Sequence, residues 1–296
     1  DKVIEFETGN VLIGSVSRLY MSNKCLLIAD HKSVDKQIHI FNKNDFSYLT
    51  SIGNFGEGPE EITVMGCLAI DEAHHQLYVS DHAKQKIFSY DMDSVMVDSL
   101  YKPQVKTAMN ETLFPSEYQY INDTLSIAVL IKPTSTSTFN QFLGRWNMNT
   151  GEMIPMKYTH PDIQKKRITF AASEKAGIYV ECYTRHDLMT ICSLDGELLY
   201  NIYGPDWDGG NGNKLQSFGT VMIGNDKIFV SYCGEDYARD SFPTKILVFD
   251  LEGNYLKTLE TGYKISDCCY DSFNNRIILS LNDVVQFAYL DIDGII

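Results

Sequence analysis

The sequence predicts an all-β fold: a six-bladed β-propeller of four-stranded antiparallel blades, filling residues 1–296 as a single domain. Three observations predict it. The first is a short phrase that recurs six times. It is an apolar or aromatic residue, then Asn, Asp or Ser, then any residue, then Asp, Asn or Glu. The copies are Phe41–Asp45, Tyr90–Ser94, Trp146–Gly151, Cys192–Gly196, Phe249–Gly253 and Leu290–Gly294. Their second positions are 42, 91, 147, 193, 250 and 291, so the gaps are 49, 56, 46, 57 and 41, averaging (291 − 42)/5 = 49.8. Since 296/49.8 = 5.9, about six units use the whole length and leave none for a second domain. The second observation is that every copy lies among short runs rich in β-branched and aromatic residues, four to a unit. The third is the lack of sustained helical periodicity, with only Asp162–Arg167 as a short candidate.

Each element follows from its local chemistry. Ser17–Met21, Cys67–Ile70 and Thr220–Ile223 read as the innermost strands of their units. The second strands are Leu26–Asp30, Leu77–Asp81, Leu125–Val129, Ile178–Glu181, Ile228–Tyr232 and Ile277–Leu281. They are almost continuously apolar, as expected where both faces of a blade pack against neighbours. The third and fourth strands flank the recurring phrase, as in Gln37–Phe41 with Phe46–Thr50 and Lys245–Phe249 with Asn254–Thr258. The phrase itself is a tight turn: Asn or Asp bonds its own backbone two residues on, and Gly accepts positive φ. After the last copy only Ile295 and Ile296 follow, so the sixth blade lacks an outer strand. Val3–Phe6 is expected to supply it and close the fold.

Composition removes several function classes. With Lys+Arg 25 against Asp+Glu 39 the net charge is −14, unsuited to non-specific binding of nucleic acid or anionic membrane. Apolar content of 44% with 8 Pro argues against disorder. No apolar run approaches the roughly 18–20 residues of a membrane-spanning helix; Leu125–Ile131 is strand length. The seven cysteines include no Cys-x-x-Cys pair, and most sit in apolar strands, so they read as small buried hydrophobes. Cys268 and Cys269 would point to opposite faces of a strand and not bond each other. Beginning at Asp1 without a signal segment, the sequence leaves open a removed leader or a trimmed chain. A lipid anchor on a longer precursor fits the first.

One phrase is specific. Asp30, Gln37–Lys43 and the segment Tyr48-Leu-Thr-Ser-Ile-Gly-Asn-Phe-Gly-Glu-Gly-Pro-Glu-Glu-Ile62 resemble the TolB-like six-bladed propeller family of Bacteroides-type bacteria. In that family the first blade runs into Gly-x-x-Gly-x-Gly-Pro-x-Glu. The resemblance covers Leu12–Ile62. It implies a propeller fold and an envelope location, periplasmic or anchored to the outer membrane, since many members look like exported lipoproteins. It supplies no catalytic residues. Read on their own, Gly53, Gly56 and Gly58 allow a tight crossover between blades, and Pro59 fixes its exit. A phosphate loop is excluded, because the Lys-Ser/Thr ending is missing and Glu60 and Glu61 follow.

The expected binding face is the channel mouth, formed by inter-blade and mid-blade loops. Arg18, Glu61, Tyr118, Tyr120, Arg167, Phe218 and Asp267 are placed at inner-strand starts there. Arg185 comes from a mid-blade loop, and Trp207 from the inter-blade loop 203–217, one of two long ones with 102–118. His31, Lys32, Lys84, His186, Glu235, Asp236, Tyr237 and Arg239 share these loops, and plain solvated loop charge is the competing reading. Planar guanidiniums and flat rings suit a carboxylated or sugar-like ligand. Asp206 and Asp208, in Asp206–Asn213, are weak calcium candidates without the distal Glu of an EF-hand. His74 and His75 read as surface imidazoles, and neither Gly-x-Ser-x-Gly nor His-Glu-x-x-His occurs. The expected function is therefore a non-enzymatic propeller that binds a small molecule or protein partner, without a cofactor, on the envelope side of a bacterium. The alternative is a calcium-type, metal-dependent hydrolase or lactonase. For that site Glu61 and Asp267 are the only acids placed near inner-strand starts.

Overall fold

A computed structural model describes residues 2–211, 215–236 and 242–296. The fold is an all-β six-bladed propeller whose blades are four-stranded antiparallel sheets. The chain clusters into two compact units of three blades each. The first unit, Thr8–Met156, holds three blades in chain order. They are β2(Ser17–Met21)–β3(Cys25–Asp30)–β4(Lys36–Asn42)–β5(Tyr48–Asn54), then β6(Met65–Asp71)–β7(Gln76–Asp81)–β8(Lys86–Asp91)–β9(Gln104–Ala108), then β10(Phe114–Asn122)–β11(Leu125–Pro133)–β12(Phe139–Trp146)–β13(Met153–Pro155).

The second unit takes Lys157–Ile296 together with the N-terminal residues up to Glu7. Its blades are β14(Ile168–Ser173)–β15(Ile178–Tyr183)–β16(Leu188–Ser193)–β17(Leu198–Tyr203), then β18(Leu215–Gly224)–β19(Lys227–Asp236)–β20(Lys245–Asp250)–β21(Tyr255–Glu260), then β22(Ile265–Asp271)–β23(Arg276–Leu281)–β24(Phe287–Asp291) completed by β1(Val3–Glu5). The N-terminal strand is the outer strand of the last blade: Val3 pairs Leu290, Ile4 pairs Tyr289 and Glu5 pairs Ala288. Phe6 then stacks on Phe287, with ring centroids 5.9 Å apart.

Local chemistry explains the recurrence. In all six copies of the phrase, the side chain at the second position accepts a downstream backbone N–H. Asn42 takes that of Asn44, Asp91 that of Ser94 and Asn147 those of Asn149 and Thr150. Ser193 takes that of Glu197, Asp250 those of Glu252 and Asn254, and Asp291 that of Asp293. Each bond spares a turn donor that the ladder cannot satisfy. Burial falls across a blade: β3, β15 and β23 are buried at every residue, whereas β17 is mostly exposed. Fully buried side chains such as Leu27, Ile38, Leu77 and Phe88 contribute about 1.5–3 kcal/mol each to the core.

Three expectations change. At Tyr90–Ser94 the chain makes no tight hairpin; Asp91 instead caps a helical turn, α1(Met92–Val95). Tyr101 folds back on this detour, its hydroxyl accepting the Asp91 N–H at 2.9 Å and its ring lying 6.2 Å from that of Tyr90. The detour absorbs the extra length behind the gap of 56. Second, the long loop expected at 102–118 contains β9 and the first half of β10. Third, 162–167 forms turns and bends, not a helix. All seven cysteines are buried thiols outside any disulfide, Cys268 and Cys269 included. Among the described residues no helix is long and apolar enough to cross a membrane.

Candidate functional site

In the first unit the glycine-rich crossover from β5 to β6 is built around its own carboxylate. Glu61 turns back so that Oε1 accepts the Gly58 N–H at 2.9 Å. A Cβ at Gly58 or Gly56 would stand 2.5 Å from that carboxylate, so a larger residue at either position would have to displace the Glu61 side chain. Lys84, from the β7–β8 loop, donates to the carbonyls of Gly58 and Glu61. Asp81, at the end of β7, accepts the N–H groups of Thr63 (2.8 Å) and Val64 (3.2 Å). The motif is thus a clamp on the crossover, and Glu61 is committed to it.

The other first-unit residues are placed differently from one another. Arg18 pairs with Glu117 of β10 and lies 5.3 Å over the Tyr20 ring. His31 bonds the Gly66 carbonyl at 3.1 Å, and His82 stands edge-on to Phe114 at 5.9 Å. Burial depresses the pKa of His82. Because β10 starts at Phe114, Tyr118 lies in mid-strand and Tyr120 near the far end. Both are buried: Tyr118 packs edge-on to Trp146 at 5.1 Å, and the Tyr120 hydroxyl donates to Asp123 at 2.5 Å.

In the second unit Arg167, just before β14, is joined to the β15–β16 loop. Its carbonyl accepts the Thr184 N–H at 3.1 Å, and its guanidinium donates to the Lys166 carbonyl at 2.7 Å. Burial lowers the Arg167 pKa, and the neighbouring Arg185 charge lowers it further. Arg185 is exposed and Arg167 half-buried. The adjacent Lys166 makes an ion pair with buried Glu181 at 2.8 Å. Next to Arg185, His186 is buried against Trp207 (6.1 Å between centroids), and burial depresses its pKa.

Trp207 is half-buried, with the rings of Tyr203 at 4.9 Å and His160 at 5.3 Å. Asp187 holds this loop: it accepts the Asp206 N–H at 2.9 Å and the Tyr232 hydroxyl at 3.1 Å. A Cβ at Gly204 would come within 2.1 Å of its carboxylate. Burial raises the Asp187 pKa. Phe218 packs edge-on to Tyr232 at 5.1 Å, and Asp267 accepts the Thr220 hydroxyl at 2.8 Å. The structure thus brings Arg167, Arg185 and Trp207 to one loop cluster, with Phe218 linked to it through Tyr232 and Asp187. Asp267 meets Thr220, two residues after Phe218 in β18. Gly212, Asn213, Tyr237 and Arg239 lie outside the described residues, as do the side chains of Glu235 and Asp236.

The sequence reads His74 as a surface imidazole, and it is exposed. Among the described residues one group could hold a metal ion: Asp71, His74 and Asp123, with ligand atoms within 4.8 Å of one another. Asp206 and Asp208 belong to no such group there. The group is also a hydrogen-bonded hairpin. Asp71 accepts His74 Nδ1 at 2.8 Å and the Tyr78 hydroxyl at 2.9 Å. Burial raises the Asp71 pKa, but these hydrogen bonds outweigh it and leave the value lowered. Lys106 stands 3.6 Å from Asp123 and supplies a cation already. The last blade builds the same turn from Asp271 and Asn274, the amide donating at 2.7 Å where His74 does here. Turn-building accounts for His74.

Comparison with solved structures gives the fold. The Cps50 (Swd1) β-propeller domain of Myceliophteria thermophila aligns with TM-score 0.61 at 10% identity, covering 98% of this chain and 99% of that one. A DUF4221-family protein from Bacteroides vulgatus aligns with TM-score 0.61 at 10% identity, over 98% and 95% of the two chains. A Bacteroides fragilis protein described as exported aligns with TM-score 0.59 at 14% identity, over 94% and 82%. No curated protein matches the chain. Residues 2–142, which span the first two blades and enter the third, match the family described as 6-bladed beta-propeller, DUF5128.

Proposed function

We propose that this chain is a non-enzymatic, ligand-binding propeller of a bacterial envelope, and that its ligand is a carboxylated sugar taken at Arg167, Arg185 and Trp207. One observation carries the reading: Arg167 is bonded to the loop that bears Arg185, its carbonyl taking the Thr184 N–H, and the next residue of that loop, His186, packs on the half-exposed indole of Trp207. Arginine forks match a carboxylate, while a flat indole covers a sugar face. Envelope placement draws its support from the first-blade phrase and from the exported Bacteroides fragilis fold neighbour. A metal-dependent hydrolase would need carboxylates turned toward a substrate. Glu61 is bent back onto Gly58, and Asp267 is engaged by Thr220.

Titration calorimetry with galacturonate oligosaccharides, against neutral galactose oligosaccharides, tests the reading. The acidic sugar should bind and the neutral one should not, and Arg185→Ala should weaken binding at least tenfold. Equal affinity for both sugars, or an unchanged affinity in Arg185→Ala, would sink it.

A further inference from the structure

A groove of about 510 Å³ opens in the first unit between the β2–β3 hairpin and the β6–β7 hairpin with α1. It lies at the hairpin end of these sheets, away from the crossover that Asp81 and Lys84 clamp. Its floor reaches Leu27 and Leu77, both solvent-inaccessible, so it penetrates between two blades. Leu49 and Met96 form accessible apolar walls, 42% and 36% exposed. The mouth is stitched across the two blades where the Asn23 N–H donates to Glu72 at 2.7 Å, and within the second blade His75 Nδ1 meets Asp93 of α1 at 3.0 Å.

We propose that this groove binds a small amphipathic cation, an apolar body carrying an ammonium head. The volume falls within the roughly 300–1,000 Å³ typical of small-molecule sites, and the depth suits a chain or ring more than a flat protein surface. Unbranched methionines such as Met92 and Met96 adapt to varied apolar shapes. Charge selects the head group. The lining holds three carboxylates, Asp71, Glu72 and Asp93, against one ammonium, Lys24. A carboxylate, sulfate or phosphate head would meet that field with the wrong sign. The site differs in place and chemistry from the arginine pair and does not depend on it.

Calorimetry of the full chain with decyltrimethylammonium, below its micelle concentration, tests the proposal. The expected result is one-to-one binding, at least tenfold weaker binding of decyl sulfate, and none of tetramethylammonium, which has the head without the body. Leu49→Trp and Met96→Trp, each at a part-exposed wall, should abolish binding while the circular dichroism melt stays that of the parent. Asp93→Asn should weaken it severalfold, whereas Glu174→Gln, an exposed acid in the other unit, should leave it unchanged. The proposal is overturned by equal binding of decyl sulfate, by many-to-one stoichiometry, by binding that survives both tryptophans, or by equal losses in Asp93→Asn and Glu174→Gln.

Discussion

Removing the Asp81 carboxylate should release the crossover between the first two blades. The side chain is solvent-inaccessible. It accepts the N–H groups of Thr63 at 2.8 Å and Val64 at 3.2 Å in the crossover, and of Ala83 at 3.0 Å and Lys84 at 3.2 Å in its own loop. The Lys84 ammonium stands 3.7 Å away. Asp81→Ala leaves those donors facing a methyl group and leaves Lys84 charged without its carboxylate. Breaking a buried ion pair by deleting one partner costs about 3–5 kcal/mol. The four hydrogen bonds share that single carboxylate, so their individual values of about 1.5–3 kcal/mol do not simply add to it. At the lower end of the roughly 2–4 °C per kcal/mol seen for chains of this class, the melting midpoint falls by about 6–10 °C. Differential scanning fluorimetry with far-ultraviolet circular dichroism measures it. Lys84→Met should reproduce part of the loss, and the double variant should lose less than the sum of the singles, since both remove one clamp. A midpoint within 2 °C of the parent in Asp81→Ala, or additive losses in the double variant, would refute this reasoning.

Acid should destabilise the fold as buried histidines charge. Burial depresses the pKa of His39, His82 and His186 below 6.5, so the unfolded chain binds more protons; their contribution is complete above pH 6.5 and lost as pH falls through that value toward the folded ones. Asp187, raised by burial, works the other way but only in the window just above its ordinary 3.8. The melting midpoint should therefore drop between pH 7.5 and 5.5 and drop less in His186→Gln; a midpoint that rises on acidification contradicts the assignment. The thiols should be silent in the native state, because all seven are buried and burial pushes Cys67 and Cys192 up to about 11. Ellman's reagent should count close to none in native buffer and seven in 6 M guanidinium, and two or more reacting rapidly without denaturant would contradict the burial.

The blade count was legible because turn chemistry is local. The acceptor at the second position of each phrase and the N–H it takes lie two to four residues apart, so spacing alone displays them. The same locality explains the miss at Tyr90–Ser94. A hairpin and a helical turn both begin with Asp91 accepting a nearby N–H. Tyr101, ten residues on, decides between them by closing the detour. The start of β10 was hidden for a different reason: Pro115 interrupts the apolar run, yet as a strand residue it pairs with Leu130 just before a register shift. Terminal closure was legible because a blade short of one strand and an unassigned strand-like run at the other terminus have a single joint solution.

For the site, residue type was legible and commitment was not. Arg18 was foreseen, but its partner Glu117 lies 99 positions away. Glu61 looked like a free acid near a channel, although Gly58, three residues earlier, takes it up. The groove escaped because α1, which forms part of its wall, had no sequence signal. A pattern could have sorted the acids. Asp30 accepts the Gly14 N–H 16 positions back, Asp81 that of Thr63 18 back, and Asp283 that of Lys264 19 back. Each closes or follows the second strand of its blade and braces the chain segment entering that same blade. A carboxylate at that register therefore belongs to the frame, and part of the net −14 is structural. Arg185, exposed on the β15–β16 loop, is not one of those carboxylate positions, so Arg185→Ala is the substitution expected to separate binding from stability.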